Sequence, residues 1–211
     1  MKTVLLMGDS IRLGYQERVK ELLSDVAQVF APEENCRFTK YALWGMHVWA
    51  EETGVERFDL AHWNTGIWDL HRATADGEVF TPLEAYVEDN ERLLTQMQSC
   101  ADRLIWATTI PAGPSLDKGM ESDALINSKG RPARIRLCVP QVRWNADVKR
   151  YNEAACHMYR SRGVAINDLY TALLPDLEAY ISEDGIHPNE KGYALLAEQT
   201  ARAIRQQLNA G

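Results

Sequence analysis

The most constraining stretch of this chain is its beginning, Thr3-Val4-Leu5-Leu6-Met7-Gly8-Asp9-Ser10. Val4 to Met7 form a short continuous apolar run, the mark of a strand buried on both faces. Gly8 breaks the run, and from Ser10 onward Leu13, Val19, Leu22 and Leu23 recur among charges at helical spacing. Ser10 therefore stands where a strand hands over to a helix. A helix N-terminus carries free N–H groups and the positive end of the dipole. A serine hydroxyl there can attack a carbonyl while neighbouring N–H groups hold the oxyanion. Taken alone, Ser10 reads equally as a helix cap.

Beyond this unit, the apolar pattern puts strands at 36–43, 58–64, 104–109 and 164–166. Helices are expected from 10 to before Pro32, in a short piece ending near Glu52, from Pro82 to about residue 100, over 145–162, and from about Pro188 to Leu208. The inward faces are Tyr86, Leu93, Leu94 and Met97 in one helix, Val148, Tyr151, Ala155 and Met158 in the next, and Tyr193, Leu196, Ala197, Thr200 and Ile204 in the last. Five short strands alternating with helices imply a single-domain three-layer α/β/α sandwich with a five-stranded parallel sheet. The expected strand order is the flavodoxin-like 2-1-3-4-5. The domain spans 1–211, with an irregular insertion at about 112–142 punctuated by Gly113, Pro114, Gly119, Gly130, Pro132 and Pro140.

Composition narrows the partners. The chain has 23 Lys and Arg against 30 Asp and Glu, a formal net charge of −7, which disfavours nucleic acid as a ligand. No apolar run approaches the roughly 20 residues that cross a bilayer, so no membrane partner is expected. The N-terminus enters a strand at once, without a secretory signal pattern. Cys36, Cys100, Cys138 and Cys156 are far apart and unpaired by spacing, which suits reduced thiols in the cytoplasm. His47, His62, His71 and His157 lack metal-ligand spacing, and no phosphate-binding glycine loop is present, so no cofactor or metal is expected.

The second informative stretch is Glu183-Asp184-Gly185-Ile186-His187-Pro188-Asn189, just before the last helix. In a parallel sheet this His can meet Ser10 at the carboxyl edge. Asp184 can fold back onto Nδ1 of His187 and leave Nε2 to take a proton. Asp-Gly is also a common turn pair, and the bland reading is a turn that caps the helix.

Together, Gly8-Asp9-Ser10 and Asp184-x-x-His187 resemble the first and last sequence blocks of the SGNH (GDSL-type) hydrolases, ester hydrolases of flavodoxin-like fold. The resemblance spans essentially the whole chain. It implies that Ser10 is the nucleophile, His187 the general base and then acid, and Asp184 its orienting partner. It further implies a backbone donor from a glycine after the second strand, where Gly45 in Leu43-Trp44-Gly45-Met46 fits; the alternative is a helix-opening glycine. The family's third block, Gly-x-Asn-Asp, departs here to Gly66-Ile67-Trp68-Asp69, so Trp68 occupies the position of the side-chain donor. Asn64, ending the third strand, is the better candidate for the oxyanion hole, although an Asx turn would also explain it. Trp68 is then a substrate-binding candidate, and the tryptophans near the strand ends offer a stacking wall for a sugar or acyl chain. Asp69 reads as a residue that holds the loop.

The expected function is a serine hydrolase of a small carboxylic ester, an acetylated carbohydrate among the options. The rivals are an acyltransferase using the same site and a non-catalytic flavodoxin-like domain that binds a small ligand. The oligomeric state is not legible. A thiol titration of denatured, unreduced protein should find all four cysteines; finding two or none would argue for disulfides and against the cytoplasm.

Overall fold

The computed structural model describes residues 1–72, 77–117 and 139–210. Five strands, β1 Lys2–Met7, β2 Ala27–Phe30, β3 Phe58–Asn64, β4 Ala101–Ala107 and β5 Ala165–Asn167, form one all-parallel sheet in the order 2-1-3-4-5. The helices between them are α1 Ser10–Leu23, α2 Thr39–Glu52, α3 Leu83–Cys100 and α4 Gln141–Ser161. Short helices α5 Leu169–Leu173 and α6 Leu177–Tyr180 follow β5, and α7 Glu190–Asn209 ends the described chain. α1 packs against α7, while α2 packs on α3 and α3 on α4, giving the two outer layers of the sandwich.

The expected strands 1, 3, 4 and 5 lie where the apolar runs put them, the third with the same ends and the others with ends shifted by at most three residues. The second does not. Residues 36–43 are no strand: 39–43 open α2, whose inward residues Ala42, Met46, Trp49 and Ala50 recur at helical spacing. The second strand is instead the four-residue Ala27–Phe30, an edge strand with alternating burial. It follows α1 after only Ser24, Asp25 and Val26, with neither Gly nor Pro to mark the break. The irregular insertion falls largely on 118–138, outside the described residues, as does Cys138; Cys36, Cys100 and Cys156 are free thiols. Among the described residues no helix is long and apolar enough to cross a membrane.

Two buried cations tie the loops at the carboxyl edge. Arg12 of α1 is fully buried and donates to the carbonyls of Gly8 (3.1 Å), Pro32 (2.7 Å) and Glu34 (2.7 Å), and to Gln16. It clamps the β1–α1 corner to the segment after β2. Arg72 pairs with Asp147 of α4 at 2.6 Å and donates to the Gly77 and Leu70 carbonyls, fastening the segment after β3 to that helix.

Replacing Arg12 by Leu strands three carbonyls, that of Gly8 buried and those of Pro32 and Glu34 partly so, whose bonds to a charged donor contribute about 1.5–3 kcal/mol each. Urea unfolding of Arg12→Leu should therefore show a loss of at least about 3 kcal/mol. A loss below about 1 kcal/mol would mean that the clamp is replaceable by water.

Candidate active site

Gly8 ends β1, and an added Cβ there would lie 1.9 Å from Asn64 Oδ1 and 2.8 Å from Arg12 Cβ. Only glycine permits this approach of the β1 end to the β3 end. Asp9 follows as the N-cap of α1, its Oδ1 accepting from the Ile11 N–H at 2.9 Å. Its other oxygen, Oδ2, accepts from Asn64 Nδ2 at 3.0 Å. Ser10 is thus the first residue of α1, half-buried at the carboxyl edge.

The histidine arrives from a small antiparallel turn ahead of α7. Ile181 bridges Pro188, and Ser182 N–H donates to the His187 carbonyl at 2.8 Å. Gly185, at φ 79°, reverses the chain, and its carbonyl accepts from Gly113 N–H at 2.9 Å. Ser115 adds a bond to the Ser182 carbonyl. Asn189 caps α7 through the Gly192 N–H. The turn holds His187 Nε2 at 2.9 Å from Ser10 Oγ and Nδ1 at 2.7 Å from Asp184 Oδ2. Asp184 Oδ1 accepts from Ile186 N–H, His187 N–H and the Ser182 hydroxyl. Partial burial works to raise the Asp184 pKa, but these bonds together with the ring hold it below the usual carboxylate value. An ionised Asp184 fixes the Nδ1–H tautomer and leaves Nε2 as acceptor for the serine proton.

Of the residues singled out by sequence, Ser10, His187, Asp184 and Asn64 converge on this corner. Gly45 does not. It lies in the seventh position of α2, beyond the first turn, where its N–H is committed to the helix ladder. It is glycine because a Cβ would meet the Trp49 ring at 2.4 Å. The segment that does follow β2, residues 31–38, contains no glycine. Its one left-handed residue is Arg37, at φ 50°, whose N–H is taken by Asn35 Oδ1 at 2.9 Å. Trp68 is half-buried, its ring edge-on to His71 at 5.3 Å, and His71 lies 5.8 Å from Trp144. Asp69 holds the loop as read: it is buried and accepts from the Thr39 N–H and hydroxyl at the start of α2.

Sequence reasoning missed Asp9 and Arg12. Asp9 had a visible signal, an Asp ahead of a helical pattern. Arg12 also had one, since it falls on the same helical face as the inward Tyr15 and Val19.

Behind Asp9 and Asn64, the cavity bounded by Ile67, Thr109, Ile110 and Leu169 measures about 10 Å³, the room of a single water. On the other side the site is open, with the His187 and Asp184 side chains 41% and 52% exposed. A cleft of about 730 Å³ runs between α4 and α5 past Cys156 and Tyr170 and includes neither Ser10 nor His187. No group of His, Cys, Asp and Glu able to hold a metal is found among the described residues.

Comparison with solved structures gives one consistent answer. The chain is similar to a lipase/acylhydrolase from Enterococcus faecalis, at 19% identity and a TM-score of 0.70, covering 98% of this chain and 97% of that one. It is similar to a member of the lipolytic G-D-S-L family from Veillonella parvula, at 15% identity and a TM-score of 0.67, covering 97% and 98%. The acetylxylan esterase Axe2 from Geobacillus stearothermophilus superposes with a TM-score of 0.68 at 15% identity, covering 99% and 94%. The fold is therefore that of the SGNH (GDSL-type) hydrolases. No protein-family model matches the sequence, nor does any curated protein.

Burial pushes both Asp9 and Asp69 up from 3.8 to about 6. Between those values the folded chain keeps protons that the unfolded chain has released, so this contribution to stability is full below pH 3.8 and is lost as pH rises through about 6. Buried His62, pushed down to about 3, works in the opposite sense, as does His71. The Asp69 share is isolated by difference. Asp69→Asn should gain stability relative to the parent protein, by about 2–3 kcal/mol, between pH 4 and 7. Unfolding curves whose difference stays constant with pH would show that Asp69 is not buried as an acid.

Proposed function

We propose that this protein is a serine hydrolase of short-chain carboxylic esters that works through an acyl-enzyme. The observation that carries the reading is the continuous chain Ser10 Oγ–His187 Nε2–Asp184 Oδ2 at 2.9 and 2.7 Å, assembled at the carboxyl edge of the sheet from the two ends of the sequence. Ser10 attacks the ester carbonyl as its proton passes to Nε2. The imidazolium, stabilised by Asp184, returns that proton to the leaving alcohol, and a water then repeats the sequence on the acyl-enzyme. The oxyanion takes the free N–H of Ser10 at the α1 start and the Asn64 amide, which keeps a second hydrogen beyond the one given to Asp9.

The close packing behind Asp9 and Asn64, which leaves room for no more than a water, favours an acyl group no larger than about acetyl. The open side beside His187 suits a large or polar alcohol, and two solved structures of this fold bear the name of acetylxylan esterases. Acetylated carbohydrate is the substrate class that fits both observations.

A fluorophosphonate should add its mass to Ser10, and Ser10→Ala should abolish the adduct and lower turnover by several orders of magnitude. A folded protein that stays unlabelled would sink the reading. Turnover of p-nitrophenyl esters should fall steeply beyond acetate; equal turnover of octanoate would show that the acyl group does not occupy the small cavity.

For the oxyanion hole, Asn64→Ala should cost about 100- to 1,000-fold in kcat, and Trp68→Phe, which removes the indole N–H but keeps an aromatic ring, far less. The opposite ranking would make Trp68 the donor.

A further inference from the structure

We infer that Asp9 is a positioning residue for the oxyanion hole: its carboxylate locks the Asn64 side chain with the amide nitrogen, and not the oxygen, facing the Ser10 corner. The inference rests on the hydrolase reading above and adds to it the orientation of a donor.

An asparagine amide can be placed either way round, and only its partners decide which end lies where. Here the decision rests on one contact. Asn64 Nδ2 donates to Asp9 Oδ2 at 3.0 Å, while Asn64 Oδ1 is buried against Gly8 and has no partner. A carboxylate accepts but cannot donate, so it repels the carbonyl end and selects the N–H end. Its second oxygen is held by the Ile11 N–H, which stops the carboxylate from turning away. Asp9 is buried away from bulk solvent, with room for no more than a single water beside it.

A neutral group at position 9 reverses the preference. A protonated acid, or an amide, would have a donor free for Asn64 Oδ1, and turning the amide over would satisfy that unpartnered atom. The orientation is thereby coupled to the charge on Asp9. Arg12 of α1 and His187 of the turn are the charged groups that act on it, and the titratable groups that feel it in turn are Tyr15 of α1, Cys36 after β2, Asp69 after β3 and Tyr193 of α7. Burial is the largest influence and pushes Asp9 up to about 6, with Arg12 and His187 among the groups that oppose it. The carboxylate is therefore ionised at neutral pH and lost in the mildly acid range.

The test is a double-mutant cycle with Asp9→Asn and Asn64→Ala, read as kcat and KM on p-nitrophenyl acetate at pH 8. Asn caps a helix as well as Asp, so Asp9→Asn keeps the α1 start. Asp9→Ser, also a capping residue, substitutes for it if the circular dichroism of Asp9→Asn differs from that of the parent protein. Asp9→Asn alone should lower kcat by about 10- to 100-fold with KM within about twofold, and should cost less than about threefold when Asn64 is already Ala. The acid limb of the kcat profile should be steeper in the parent, which carries the Asp9 protonation in addition to that of the base, than in Asp9→Asn.

Equal losses in both backgrounds, or no loss at pH 8, would overturn the inference. Fluorophosphonate labelling of Ser10 in the parent protein separates the two readings. Labelling with an additive cycle rejects the role of Asp9 alone, and absence of labelling rejects the hydrolase itself.

Discussion

Everything in this site depends on the turn from β1 into α1. Gly8 has no side chain, so the end of β3 can lie directly against it, and Asn64 occupies the space that a Cβ would fill. Asp9 then caps the helix with one oxygen and binds Asn64 with the other. Ser10 thereby starts a helix in direct contact with the central strand, its backbone N–H unspent and its hydroxyl turned toward the turn before α7. A larger residue at position 8 would push the ends of β1 and β3 apart.

The corner is held from outside by a charge. Arg12 lies one turn into α1, with its guanidinium under the carbonyls of Gly8, Pro32 and Glu34. These three acceptors belong to the two loops that leave the paired strands β1 and β2, beyond the end of their ladder. The buried cation does for them what a ladder of hydrogen bonds does inside the sheet. Arg72 with Asp147, and Asp69 with Thr39, play the same part on the far side of β3. Burying so many charged groups costs stability. Asp9 and Asp69, both raised to about 6, record that cost. Each is tolerated because its oxygens accept hydrogen bonds that no apolar residue could replace.

The catalytic turn follows a different design. Asp184 and His187 are close in sequence and half exposed, and their geometry is set locally by backbone N–H groups and Ser182. The fold contributes the bridge from Ile181 to Pro188, the bond of Ser115 to the Ser182 carbonyl and the contact of Gly113 with Gly185. A half-buried serine at the start of α1 thus faces a His–Asp pair carried on a surface turn. The His187 side of the site meets solvent, while the Asp9 and Asn64 side meets packed core.

Four of the five strands, the parallel order of the sheet and the candidates Ser10, Asp184 and His187 are legible in the sequence. These are written in short-range patterns: an apolar run, a helical period, a spacing of three between an acid and a base. Only the tertiary structure decided the second strand, because Ala27–Phe30 is too short to show a period and its pairing with β1 is what makes it a strand. The same holds for Gly45. Its place near a strand end was a misreading of helix α2, where the Trp49 ring, and not an oxyanion, explains the missing side chain. Asn64 was visible as a residue but not as a bond, since its partner Asp9 lies 55 positions away and neither residue signals the other. Local chemistry chooses the groups in such a chain; long-range packing chooses which way they point.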